Sequence, residues 1–156
     1  MPFIKEVHAT DEIPTITRID YYNGDGYHMR GMQTFYTDDR VAPLHVNEGD
    51  WTLTSFTIPE GERIVEVITR EGDYIAEIKL KLTNGTVIGV EGFPQDNPLF
   101  RPWTAPDGCF VIGFAGENDV VEYMSGFEVH YICEEDYLPR SAYVGSAAGE
   151  AAVSSW

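Results

Sequence analysis

IVEVITREGDYIAEIKLKLTNG, Ile64 to Gly85, contains one whole unit of architecture: a β-branched run, a Gly-Asp turn and a second run. In Glu77-Ile78-Lys79-Leu80-Lys81-Leu82 apolar and charged residues alternate strictly. That period predicts an antiparallel strand with Ile78, Leu80 and Leu82 on a core and Glu77, Lys79 and Lys81 in water.

Upstream, ITRIDYYNGDGYHMRGMQTFYTDD from Ile16 aligns with this unit once its turn is allowed about two more residues. Ile16 and Ile19 then fall on Ile64 and Val67, Gly24-Asp25 on Gly72-Asp73, and Met32, Thr34 and Tyr36 on Ile78, Leu80 and Leu82. Downstream, CFVIGFAGENDVVEYMSGFEVHYI from Cys109 follows the same plan of strand, loop and strand. Within it Phe127, Val129 and Tyr131 alternate with Glu128 and His130, which places His130 on a solvated face. A lone hairpin cannot bury its apolar face, whereas three such units facing inward enclose one core. The expectation is an all-β fold with pseudo-threefold symmetry.

The remaining chain agrees. Further short runs, DWTLTSFTI among them, are separated by turn chemistry at Asn47-Glu48-Gly49-Asp50, Asn84-Gly85 and Pro106-Asp107-Gly108. No stretch reads as a long amphipathic helix. The small-residue tail SAYVGSAAGEAAVSSW, 141–156, lacks alternation and is expected to be flexible, leaving 1–140 as the single domain.

Charge and composition exclude several functions. Lys+Arg 10 against Asp+Glu 26 gives −16, which repels phosphate backbones and anionic membranes alike. No apolar run approaches the roughly 20 residues that cross a bilayer, so neither nucleic acid nor membrane insertion is expected. The start MPFIKEVHATDEIP has no basic patch followed by an apolar run, so a cytoplasmic location is expected, with secretion left open. Two cysteines, Cys109 and Cys133, cannot build a zinc cage; hairpin pairing brings them near each other, either as a disulfide or as the commoner pair of small buried thiols.

The stretch EGERIVEVITREGDYIAEIKLKLTNG, opened by Gly61-Glu62, and the stretch FVIGFAGENDVVEYMSGFEVHYI resemble the middle and final repeats of jacalin-related lectins. The resemblance runs from about Ile16 to Ile132. It implies a β-prism of three Greek-key four-stranded sheets, binding of hexoses such as mannose, glucose or galactose without catalysis, and homo-oligomers.

The family's sugar loop has a Gly-x-x-x-Asp pattern, whose backbone N–H groups and final carboxylate hold adjacent hydroxyls. Here Asn118, Asp119, Val120, Val121 and Glu122 match it, with Asn for Gly and Glu for Asp, so the carboxylate sits one methylene further out. A second loop, Gly72, Asp73 and Tyr74, keeps the glycine but meets Ala76 where the acid would stand. The family's Gly-rich N-terminal segment is missing: MPFIKEVHATDEIPTIT has no glycine. Glycans or glycoproteins are the implied partners.

Catalytic and cofactor chemistry find no foothold. Glycoside hydrolysis needs one protonated and one ionised carboxylate, and no pattern selects two of the many acids. His8, His28, His45 and His130 have no zinc-binding spacing, and no glycine loop leads into a helix with a P-loop lysine. No metal or cofactor is expected. The alternative to a lectin is a β-prism scaffold with a non-sugar small-molecule pocket, lined by Trp51, Phe93, Phe100 and Trp103.

Overall fold

The computed structural model describes residues 3–8, 14–23, 29–42, 52–71, 75–90, 99–118 and 124–137. It contains ten strands: β1 Phe3–Glu6, β2 Ile16–Asn23, β3 Met29–Tyr36, β4 Thr52–Thr57, β5 Ile64–Glu71, β6 Ile75–Leu82, β7 Val87–Gly89, β8 Leu99–Thr104, β9 Cys109–Asn118 and β10 Met124–Cys133. A single 3-10 turn, Glu134–Asp136, is the only helical element among the described residues.

Three hairpins, β2–β3, β5–β6 and β9–β10, carry the architecture, and their registers repeat residue for residue. Ile16 pairs with Tyr36, Ile64 with Leu82 and Val111 with Tyr131. Immediately afterwards each incoming strand carries one extra residue, at Thr17, Val65 and Ile112. Near the far end each outgoing strand does the same, at Arg30, Ala76 and Ser125. A β-bulge bends its strand and raises its twist, so two bulges per hairpin curl each unit in the same way.

The alignment of the first two units made from sequence is the one the pairing shows, and Val111, Phe114, Phe127 and Val129 complete it in the third.

Hydrogen bonding divides the strands into a three-stranded sheet, β3-β2-β4, and a seven-stranded sheet, β1-β10-β9-β5-β6-β7 with β8 also on β5. The larger sheet is a four-stranded unit, β8-β5-β6-β7, joined to a three-stranded one, β1-β10-β9, among the described residues through the single pair Ile64↔Val111. In the first unit Val41 bridges Phe35 on the free edge of β3. The count therefore differs from three sheets of four, because one unit has four strands and two have three among the described residues. β1 lies parallel to β10, which brings the start of the chain beside its last strand.

The hairpins face one another: β3 touches β6, β9 and β10, and β10 touches β6. Between them lies the core, with Ile19, Val67 and Phe114 from the incoming strands and Thr34, Leu80 and Val129 from the outgoing ones wholly buried. Phe114 stacks on Phe127, and Tyr21 meets Phe56 edge-on, with centroids 5.5 Å apart in both pairs. A smaller cluster of Phe110, Ile112 and Ile132, with Val7 and Tyr137 against it, buries apolar residues on β9 and β10 apart from that core.

Two expectations about the solvated faces fail for one reason. Glu77 is buried and lies 3.6 Å from buried Arg70, and His130 is buried with Nε2 2.7 Å from Glu128 Oε1. Alternation reports which residues share a face, and it cannot report that the outer face is covered as well. A charge in such a place needs a partner, which Arg70 supplies to Glu77. Cys109 and Cys133 are directly opposed and bonded to each other, which settles the question the spacing left open in favour of the disulfide.

Candidate functional site

The three hairpins open at the same end, where Asn23↔Met29, Glu71↔Ile75 and Asn118↔Met124 are the last pairs before the connecting segments. Those segments are 24–28, 72–74 and 119–123. Asn118 closes β9, so the backbone of the first residue of the sugar-loop pattern stands on the rim. Asp119, Val120, Val121 and Glu122, and the second-loop residues Gly72, Asp73 and Tyr74, lie outside the described residues.

The frame around the rim is polar. Asn23 is buried, and neither atom of its amide finds a hydrogen-bond partner among the described residues. Glu71 Oε2 lies 3.3 Å from Arg101 Nε on β8, an ion pair without hydrogen-bond alignment, since that Nε has no hydrogen-bond partner among the described residues. Tyr22, next to the rim, has its phenol pushed above the ordinary range by burial and by Asp20, partly opposed by Arg18.

Asp20 is itself fixed: its Oδ1 accepts from Ser55 Oγ at 2.6 Å and Arg18 Nε at 3.1 Å.

Of the aromatic residues proposed for a small-molecule pocket, Trp103 is half-buried against the main core, its ring 5.2 Å from that of Tyr131. Trp51 and Phe93 and the side chain of Phe100 lie outside the described residues.

Sequence reasoning passed over two clusters at the opposite end of the hairpins. In the first, Arg63 lies over the Phe110 ring at 4.0 Å, lies 5.4 Å from the Tyr137 ring, and donates through Nη1 to Glu134 Oε1 at 2.6 Å. Beside it, Thr83 Oγ1 donates to Glu62 and accepts from the Arg63 backbone N–H. Glu62, Arg63, Thr83, Glu134 and Tyr137 border an open cleft of about 820 Å³. The signal available in the sequence was the pair of turns flanking the second repeat, at Gly61-Glu62 and Thr83-Asn84.

In the second cluster, His8 stands between Asp136, 3.0 Å from Nδ1, and Glu6, 3.8 Å from Nε2. Its members are mostly exposed and 128 residues apart at the extremes of the His8–Asp136 contact, brought together by the parallel β1–β10 pairing. Tyr131, alongside, has its phenol raised by desolvation and by its hydrogen bond and proximity to Glu6.

No family model matches the sequence, and no curated protein sequence matches it. Solved structures do match in shape. The prostate-specific WGA16 glycoprotein lectin superposes with TM-score 0.65 at 18% identity, covering 86% of this chain and 89% of that one. Jacalin in complex with melibiose, Gal-alpha(1-6)-Glc, superposes with TM-score 0.62 at 15% identity, covering 77% and 93%. PirB, with TM-score 0.65 at 13% identity, is matched over 86% of this chain but 32% of its own length, so the same architecture also forms part of a longer protein. The fold of this chain is that of the jacalin-related lectins.

Proposed function

We propose that the protein is a non-catalytic, hexose-binding lectin, a three-sided β-prism whose β9–β10 loop carries the principal contact. The observation that supports this reading is the fold shared with jacalin, whose structure holds a galactose–glucose disaccharide. In this reading Asn118 to Glu122 bind the sugar, with backbone N–H groups and the Glu122 carboxylate on adjacent hydroxyls and Val120 or Val121 against a C–H face. Gly72, Asp73 and Tyr74 form a weaker second loop. The domain is the span 1–140.

Few hydroxyls are engaged and water competes for each, so a single hexose binds weakly and homo-oligomers supply avidity toward glycoproteins. The Cys109–Cys133 disulfide favours an oxidising compartment, and so secretion, over the cytoplasmic location expected from the first residues.

The test is a glycan array with the native protein and Glu122→Ala side by side and free hexoses as competitors. Selective binding lost in the variant and displaced by one hexose supports the reading. Binding that Glu122→Ala leaves intact, or a silent array, discards it.

A further inference from the structure

We infer that the cleft bordered by Glu62, Arg63, Thr83, Glu134 and Tyr137 is a second saccharide-binding site, at the end of the molecule away from the hairpin loops. The inference is independent of the loop reading. It begins with position. Arg63 precedes β5, Thr83 follows β6 and Glu134 follows β10, whereas the segments 72–74 and 119–123 sit at the other ends of those strands. Eight residues of β5 at the usual rise separate the two ends by about 23 Å.

The groups in the cleft are held before any ligand arrives. Pro59 O accepts from the Glu62 N–H at 3.0 Å, Arg63 O from the Thr83 N–H at 2.9 Å, Gly108 O from the Glu134 N–H at 2.8 Å and Glu134 O from the Tyr137 N–H at 3.1 Å. Each backbone is therefore pinned by a turn or a strand end. The side chains are pinned too: the Arg63 guanidinium is clamped by the Phe110 ring and the Glu134 carboxylate, and the Glu62 carboxylate by the Thr83 hydroxyl. A flexible surface ion pair loses much of its worth to side-chain entropy; groups already immobilised do not lose it again on binding.

Ligand class follows from the donors and acceptors. A guanidinium presents five donors in a plane, of which the contact with Glu134 engages one, and each carboxylate accepts more than one hydrogen bond. Planar donors beside carboxylate acceptors match vicinal hydroxyls, each of which donates one bond and accepts others. The Tyr137 ring, packed edge-on against Phe110, stands in the wall of the cleft and gives that lining an apolar part for a C–H face. Two carboxylates and one guanidinium leave the lining of the cleft one charge negative, in a chain of net charge −16, which rejects anionic ligands, while the guanidinium opposes a second cation. A neutral polyhydroxylated ring satisfies all of these conditions.

The test is an amide NMR titration of the full chain with free galactose, mannose and glucose, and with spermine as a cationic probe. The expected result is saturable shifts at Glu62, Arg63, Thr83 and Glu134 with at least one hexose, weakened at least about tenfold by Arg63→Lys, which keeps the charge and removes the planar fork, and unchanged by Glu122→Ala. Glu62→Gln, which keeps the shape, repeats the comparison if Arg63→Lys disturbs the spectrum as a whole. Hexose shifts confined to the loop end, shifts insensitive to both cleft variants, a response to spermine alone, or no response to any hexose each overturn the inference. Since Glu122→Ala removes loop binding only, failure of this site and failure of the loop site are read separately.

Discussion

Cys109 at the start of β9 and Cys133 at the end of β10 are cross-strand neighbours joined by a disulfide, with their Cα atoms 3.9 Å apart. The bond closes the whole third hairpin, a loop of sequence separation 24, and so constrains the unfolded chain. Loop-closure entropy for that span stabilises the fold by about 3 kcal/mol. Reduction, or the double substitution Cys109→Ser and Cys133→Ser, is expected to lower the melting temperature by about 10 °C, read by circular dichroism. An unchanged melt would show that the third unit holds its register without the bond.

Tyr21 is fully buried, and its hydroxyl has no hydrogen-bond partner among the described residues. Tyr21→Phe keeps the edge-on contact with Phe56 and removes an unsatisfied polar group, so stability at neutral pH should rise by about 1 kcal/mol. The alkaline limb should change as well. Burial raises the Tyr21 phenol above its unfolded value of 10.0, so the unfolded chain releases that proton first.

The titration of this phenol therefore leaves stability unchanged below pH 10.0 and lowers it as pH rises above that value. Denaturant titrations from neutral pH upward should show the native protein losing stability faster than Tyr21→Phe.

Gly89 and Gly85 both have positive φ, at 140° and 88°, yet they predict different costs. A Cβ on Gly89 would stand 2.6 Å from the Ile78 carbonyl oxygen, whereas nothing lies within 4 Å of one on Gly85. Gly85→Ala meets conformational strain alone, about 1 kcal/mol, while Gly89→Ala must also push β7 off β6, costing upward of about 2 kcal/mol. Equal midpoints for the two variants in urea would contradict the close packing of β7.

Asp20, Arg18 and Ser55 tie the first hairpin to β4 through one buried carboxylate. Asp20→Ala should cost about 2 kcal/mol and Ser55→Ala about 1 kcal/mol. In the double variant the costs should fall short of additive by about 1 kcal/mol, because both remove the same hydrogen bond. Strict additivity would mean that the serine contributes nothing through the carboxylate.

Legibility in the sequence followed the physics of each signal. Ile16, Ile19, Ile64 and Val67 could be matched because burial between facing hairpins demands apolar residues at fixed intervals. The third copy was harder to align, since Gly113 and Gly116 occupy strand positions where the other units carry larger side chains. The six bulges left no mark in composition: Thr17, Val65, Ile112, Arg30, Ala76 and Ser125 share no chemistry, and only pairing exposes them. Glu77 and His130 were placed on the solvated face correctly as to side and wrongly as to burial, because a period of two carries no information about a covering layer.

The cleft around Arg63 was only half legible, through the turns at Gly61-Glu62 and Thr83-Asn84, for a different reason. Glu134 approaches Arg63 only after β5 and β9 meet at Ile64 and Val111, a contact between separate units.

The matched bulges also bear on how such a molecule can change over time. Each connecting segment leaves its hairpin from the same offset, through rims that differ in sequence but coincide in register, although the segments span five, three and five residues in 24–28, 72–74 and 119–123. The frame thus behaves as three equivalent sockets. Because the pairs on either side of each segment hold the same register whether five or three residues connect them, the length of a segment is uncoupled from the core pairs, and one side can vary while the other two keep theirs.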